Sequence, residues 1–139
     1  VTGSVITCGL MMAIGNSLFD LGTARHRTQG DEEVLLQLIH VFRDQTSLLL
    51  AATSRAMENR DHREIAFHIH RLRGSLGILA SPALTARAGQ LEGLALAGDW
   101  ERIPPAWEHL RTDLRALDRE LDAFLGSPPP DPSQVPARL

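Results

Sequence analysis

The chain has 139 residues, 43% of them hydrophobic and 22% charged, with a formal net charge of −3. That length fits a single domain with tails. The slightly acidic balance argues against a general nucleic-acid binder, which needs a basic face. A single cysteine, Cys8, excludes an intrachain disulfide and a multi-cysteine metal site. All 14 basic residues are arginine, with no lysine anywhere.

The first residue is Val1 rather than Met, which reads as a piece of a longer protein or a processed form. Val5 to Ile14 is an apolar run of ten. A membrane span takes about 20 such residues, and no basic stretch precedes this run as in a signal peptide. It reads as a linker or as a cover for a hydrophobic face, with a truncated membrane-proximal piece as the alternative. No membrane insertion is expected of it. The domain reading is a linker over residues 1–17, a helical body over 18–125, and a Pro-rich disordered tail over 126–139 (GSPPPDPSQVPARL).

The helical body divides at turn signals. A short helix is expected from about Asn16 to Arg27, ended by Thr28-Gln29-Gly30. Asp31 then caps a helix whose first turn carries Glu32 and Glu33, the favourable sign at that end. Its apolar stripe is Leu35, Leu38, Phe42, Leu49, Ala52 and Ala56. Asn59-Arg60-Asp61 is a turn, and Asp61 with Glu64 opens the next helix in the manner of a capping box. That helix buries Ile65, Ile69, Leu72, Leu76 and Leu79. Ser81-Pro82 is a cap followed by proline at the first helical position, and the helix it starts holds Leu84, Ala88, Leu91 and Leu94 before Gly98-Asp99 ends it. Pro104-Pro105 begins the last helix, with Trp107, Leu110, Leu114, Leu117, Leu121 and Phe124 or Leu125 on one face. No segment alternates with period two. The fold class expected is all-α: an antiparallel four-helix bundle with an additional short N-terminal helix.

Three of the six histidines, His62, His68 and His70, fall on the third of these helices. At about 100° per residue, His62 and His68 lie at the edges of the buried stripe, whereas His70 lies about 140° from its centre, on the outer face. Arg63, Ala66, Phe67, Gly74, Gly77 and Ile78 are assigned to the same face. Two glycines in mid-helix cost about 1 kcal/mol each relative to alanine, and Phe67 and Ile78 would leave apolar surface exposed, as partner sites do. Two readings stand at this point: an accessible imidazole with cleared space and an apolar surround, or a surface histidine beside incidental glycines. Metal binding is disfavoured, since His68 and His70 point about 200° apart on a helix and no other ligand completes a set. His26, His40 and His109 are isolated. No nucleophile elbow and no phosphate-binding glycine loop is present.

The segment His70-Arg71-Leu72-Arg73-Gly74-Ser75 resembles the signature of histidine-containing phosphotransfer (HPt) domains, His-x-Leu-Lys-Gly-Ser. Leu91-Glu92 is similar to that family's Leu-Glu pair on the following helix, Gly98-Asp99 to the pair that closes it, and Leu35-Leu36 through Phe42 to its opening helix; the resemblance spans about residues 18–125. Arg73 stands where the family has Lys, in keeping with a lysine-free chain; it retains the charge as a planar fork. Ala80-Ser81 stands where the family often has Gly-Ala.

The resemblance implies a phosphorelay intermediate, not an ATP-using enzyme. His70 would accept a phosphoryl group from a receiver-domain aspartate, at Nε2, and pass it to another receiver. Arg73 would offset phosphate charge, Gly74 would give clearance, and Arg63, Ala66, Phe67, Gly77 and Ile78 would dock the partner. The partners implied are response-regulator receiver domains. No cofactor is expected on this chain; Mg²⁺ is expected on the receiver. The setting implied is cytoplasmic, with the chain as the C-terminal module of a hybrid sensor histidine kinase that is itself membrane-anchored. A non-catalytic helical interaction module is the alternative.

Overall fold

The computed structural model describes residues 17–126. The apolar run Val5–Ile14, the linker expected over residues 1–17 except Ser17, and the Pro-rich tail expected over residues 126–139 except Gly126, which ends the last helix, therefore lie outside the described residues. Five helices follow in order: α1 (Leu21–Arg27), α2 (Glu32–Glu58), α3 (His62–Leu79), α4 (Pro82–Ala97) and α5 (Ile103–Gly126). Connections of two to five residues turn each helix of α2–α5 back along the one before, which makes them antiparallel neighbours. The result is the expected four-helix bundle with a short additional helix.

The core is built from rows of side chains at alternating four- and three-residue steps. On α3 these are Ile65, Ile69, Leu72, Leu76 and Leu79; on α5 they are Ile103, Trp107, Leu110, Leu114, Leu117 and Leu121, all buried. This 3.5-residue period is that of left-handed helix packing, which keeps one seam facing its neighbours over many turns. On α2 the buried row is Leu35, Ile39, Phe42, Thr46, Thr53 and Ala56. Leu38 and Ala52, assigned to the core from sequence, lie half-buried beside it. Ile39, Thr46 and Thr53, absent from the expected stripe, are buried. Thr53 is accommodated because its hydroxyl donates to the Leu49 carbonyl at 2.7 Å. On α4, Ala95 is buried and Leu94 is half-buried.

The helix ends follow local chemistry. Asp31, Asp61 and Ser81 each accept from the backbone N–H three residues on, satisfying donors that the first turn leaves free. Gly98 ends α4 at φ +66°, where glycine carries no steric penalty.

Helix α1 starts later than expected. Residues 17–20 are not helical, and Asp20 is the N-cap, its carboxylate accepting from the Thr23 N–H and hydroxyl. The preceding residues are tied down by tertiary bonds instead. The Glu120 carboxylate accepts from the Ser17 hydroxyl (2.6 Å) and from the N–H groups of Leu18 (3.0 Å) and Phe19 (3.2 Å). The Asp20 N–H donates to the Leu79 carbonyl (2.7 Å) and the Ser81 N–H to that of Leu18 (2.9 Å). These bonds hold the chain in a non-helical form across one end of the bundle, with an isolated antiparallel bridge between Phe19 and Ala80, and Phe19 meets Phe124 edge-on.

Candidate functional site

The site forms where the middle of α3 faces α4. Because the two helices are antiparallel, residues three apart on one meet residues three apart on the other. His70 stands opposite Glu92, and Arg73 opposite Gly89. The His70 Nδ1 lies 3.0 Å from Glu92 Oε2, and the Arg73 guanidinium donates to Glu92 Oε1 at 2.7 Å. One carboxylate thus holds both side chains.

The exposures differ in a way that matters. The imidazole of His70 is 72% exposed, while the Glu92 side chain is only 14% exposed. Burial pushes the Glu92 carboxyl up, but the bonds from Arg73 and His70 outweigh it, leaving its pKa below the ordinary carboxylate value. A carboxylate kept ionised can only accept, so the neutral imidazole must present Nδ1 as its N–H. Nε2 then carries the lone pair, and it makes no hydrogen bond among the described residues.

The other histidines of α3 are engaged otherwise. His62 Nδ1 is 2.8 Å from the Ala95 carbonyl, and the half-buried His68 pairs with Glu64 one turn away at 3.2 Å. His26, His40 and His109 are exposed on other helices. Among the described residues no three His, Cys, Asp or Glu side chains are grouped to hold a metal ion, and no helix is long and apolar enough to cross a membrane.

The residues assigned from sequence around His70 separate into groups. Arg63, Phe67, Gly74 and Gly77 are on the exposed surface. Ile78 is half-buried, packed against the core. Ala66 is not available to a partner: it is 95% buried. Its position on the wheel, about 100° from the core row, is on the side of α3 from which His62, His70 and Arg73 reach α4. Arg73 is not a free cation either; it is committed to Glu92. A Cβ on Gly74 would meet nothing within 4 Å, so the opening there is toward solvent. Ser75 faces α2, its hydroxyl 3.5 Å from Gln45 Oε1, and is remote from His70.

Two residues were missed as site members. Glu92 was noted only as half of a motif pair; its meeting with His70 depends on the register of α3 against α4. Leu48 on α2 is 72% exposed, more than Phe67 at 55%. It borders an open groove between α2 and α3 whose other wall carries Arg71, Gly74 and Ile78. Its signal was present in the sequence: Val34, Val41 and Leu48 recur at seven-residue spacing, and all three are exposed.

The chain matches the family model described as Hpt domain over residues 37–122, more than half its length. It belongs to the Hpt family. No curated protein and no solved structure matches it. Hpt domains are helical phosphotransfer carriers of phosphorelay signalling, work with receiver domains, and are not kinases with ATP sites of their own. The matched range contains all of α3 and α4, hence His70, Arg73, Gly89 and Glu92.

Proposed function

We propose that this Hpt domain accepts a phosphoryl group on His70 Nε2 from the aspartyl phosphate of one receiver domain and returns it to the aspartate of another. The observation that carries the reading is the exposed imidazole whose Nδ1 is bound to Glu92. The neutral ring attacks phosphorus through the Nε2 lone pair; the N–P bond forms as the P–O bond to the aspartate breaks, and the carboxylate leaves with the electron pair. No proton has to depart. Nδ1 keeps its hydrogen, and the positive charge that the ring acquires faces the Glu92 carboxylate. Transfer to a second receiver reverses these changes.

Such a transfer depends on in-line positioning and charge stabilisation rather than on covalent work by the carrier. Mg²⁺ belongs to the receiver in this scheme and would offset charge on the phosphoryl oxygens there. This chain supplies the nucleophile, its orientation and a docking face. Arg73 contributes by holding Glu92. Phe67, Leu48 and the half-buried Ile78 give the face its apolar part, Gly74 and Gly77 keep it low, and Arg63 adds a cation toward an acidic receiver site. The domain is further proposed to act in the cytoplasm as the C-terminal module of a hybrid sensor histidine kinase. Kinase and receiver domains upstream in the same gene would support that setting; an isolated gene would refute it.

The test is labelling from a phosphorylated receiver. Wild type and His68→Gln should take up acid-labile phosphate, and His70→Gln should take up none. Labelling of His70→Gln would refute the assignment. A wild-type chain that binds receivers without being labelled would be an interaction module only.

A further inference from the structure

Arg73 reaches Glu92 by lying across α4 at Gly89. A Cβ built on Gly89 would stand 3.4 Å from Arg73 Nε, 3.6 Å from Cζ and 3.9 Å from Cδ. The guanidinium end of the side chain thus lies where a longer side chain at position 89 would extend. Most other glycines of the bundle's helices have different surroundings: a Cβ at Gly74, Gly77 or Gly93 would meet nothing within 4 Å. Glycine costs about 1 kcal/mol in a helix interior relative to alanine; at position 89 a Cβ itself would stand in ordinary van der Waals contact, and the atoms beyond it would enter the space that the Arg73 guanidinium occupies. Its amino nitrogen then meets one oxygen of Glu92, and the other oxygen holds His70 Nδ1.

We propose that Gly89 is a positioning residue for phosphotransfer: it leaves open the space that Arg73 occupies, so that Arg73 fixes Glu92 and Glu92 fixes the tautomer and orientation of His70. The phosphotransfer part of this inference rests on His70 being the phosphoacceptor. The order of action is Gly89, Arg73, Glu92, His70. A branched side chain at position 89 displaces the guanidinium. Glu92, released from Arg73, then holds the imidazole less firmly, and a displacement of about 1 Å in a reacting group can cost up to about a hundredfold in rate.

Three readouts test this on the full chain. In Gly89→Leu, transfer from a phosphorylated receiver should fall by up to about tenfold, and the ¹⁵N signals of the His70 ring should lose the Nδ1–H signature present in wild type. In an Arg73→Ala background the same Leu should cost nothing further, because it acts through Arg73. Gly93→Leu, on the outer side of the same helix, controls for bulk on α4 and should transfer as wild type. A Gly89→Leu protein with wild-type transfer and an unchanged His70 signature overturns the proposal. So does a full additional loss in the Arg73→Ala background, which would mean that Leu obstructs the receiver directly. Should Leu unfold the bundle, the packing is read in wild type from nuclear Overhauser contacts between the Gly89 Hα and Arg73 Hδ protons; their absence also overturns it. A wild-type chain that is not labelled at His70 but shows these contacts and the Nδ1–H signature would refute the phosphoacceptor assignment and leave the positioning chain standing.

Discussion

Replacing Glu92 by Ala removes the one group that contacts both His70 and Arg73. At the observed 3.0 Å, a carboxylate and a charged imidazole attract by about 1.4 kcal/mol even with water-like screening. About 1.4 kcal/mol is tenfold in rate. Glu92 is only 14% exposed, which weakens the screening, whereas the imidazole is 72% exposed and the ring carries only part of its charge in the transition state, so about tenfold is the upper end of the effect. Transfer from a phosphorylated receiver to Glu92→Ala should therefore be slower by up to about tenfold. Stability should change far less. Arg73 is 43% exposed and His70 72% exposed, and ion pairs with such exposed partners are worth about 0–1 kcal/mol. Initial rates of label transfer measure the first quantity, and urea unfolding followed by circular dichroism measures the second. Gln at position 92 keeps an acceptor oxygen without the charge and should fall between the two. Wild-type transfer in a folded Glu92→Ala protein would refute the role given to the carboxylate. A stability loss of several kcal/mol would show that the residue serves the fold instead.

Two further predictions use the same surfaces. Gly74→Ala should raise stability by up to about 1 kcal/mol through helix propensity, since its methyl meets nothing of this chain. Gly74→Leu should also fold but block transfer by occupying the receiver's approach; a Leu variant that transfers normally removes the clearance role. The third concerns acid. The folded-state pKa of Glu92 is lowered from 4.5, so its contribution to stability is fully present above about pH 4.5 and is lost as pH falls through the lower folded value. Unfolding free energy measured from pH 6 downward should therefore decline less steeply in Glu92→Gln than in wild type, and identical slopes would contradict the coupling.

Much of the bundle could be read from local signals. Asp31, Asp61, Ser81-Pro82 and Gly98 mark helix ends because capping is a matter of a few neighbouring atoms. The rows on α3 and α5 are legible because a helix maps sequence spacing onto direction. For the same reason the outward placement of His70, and its distinction from His68 two residues away, follows from the sequence without any partner helix.

What the sequence could not decide depends on how helices meet. Ala66 has the angle of a residue outside the core row, and only the packing of the folded bundle buries it. The stretch before α1 looks helical, but Glu120, about a hundred positions away, binds its backbone in a non-helical form. Arg73 looks like a free cation for phosphate, and only the register of α3 against α4 brings it to Glu92 over Gly89. Local sequence determined which way His70 faces, because rotation about a helix is set by covalent spacing alone. Tertiary structure decided which of its nitrogens is left free, because that depends on a carboxylate 22 residues distant, brought close only when two separately folded faces pack.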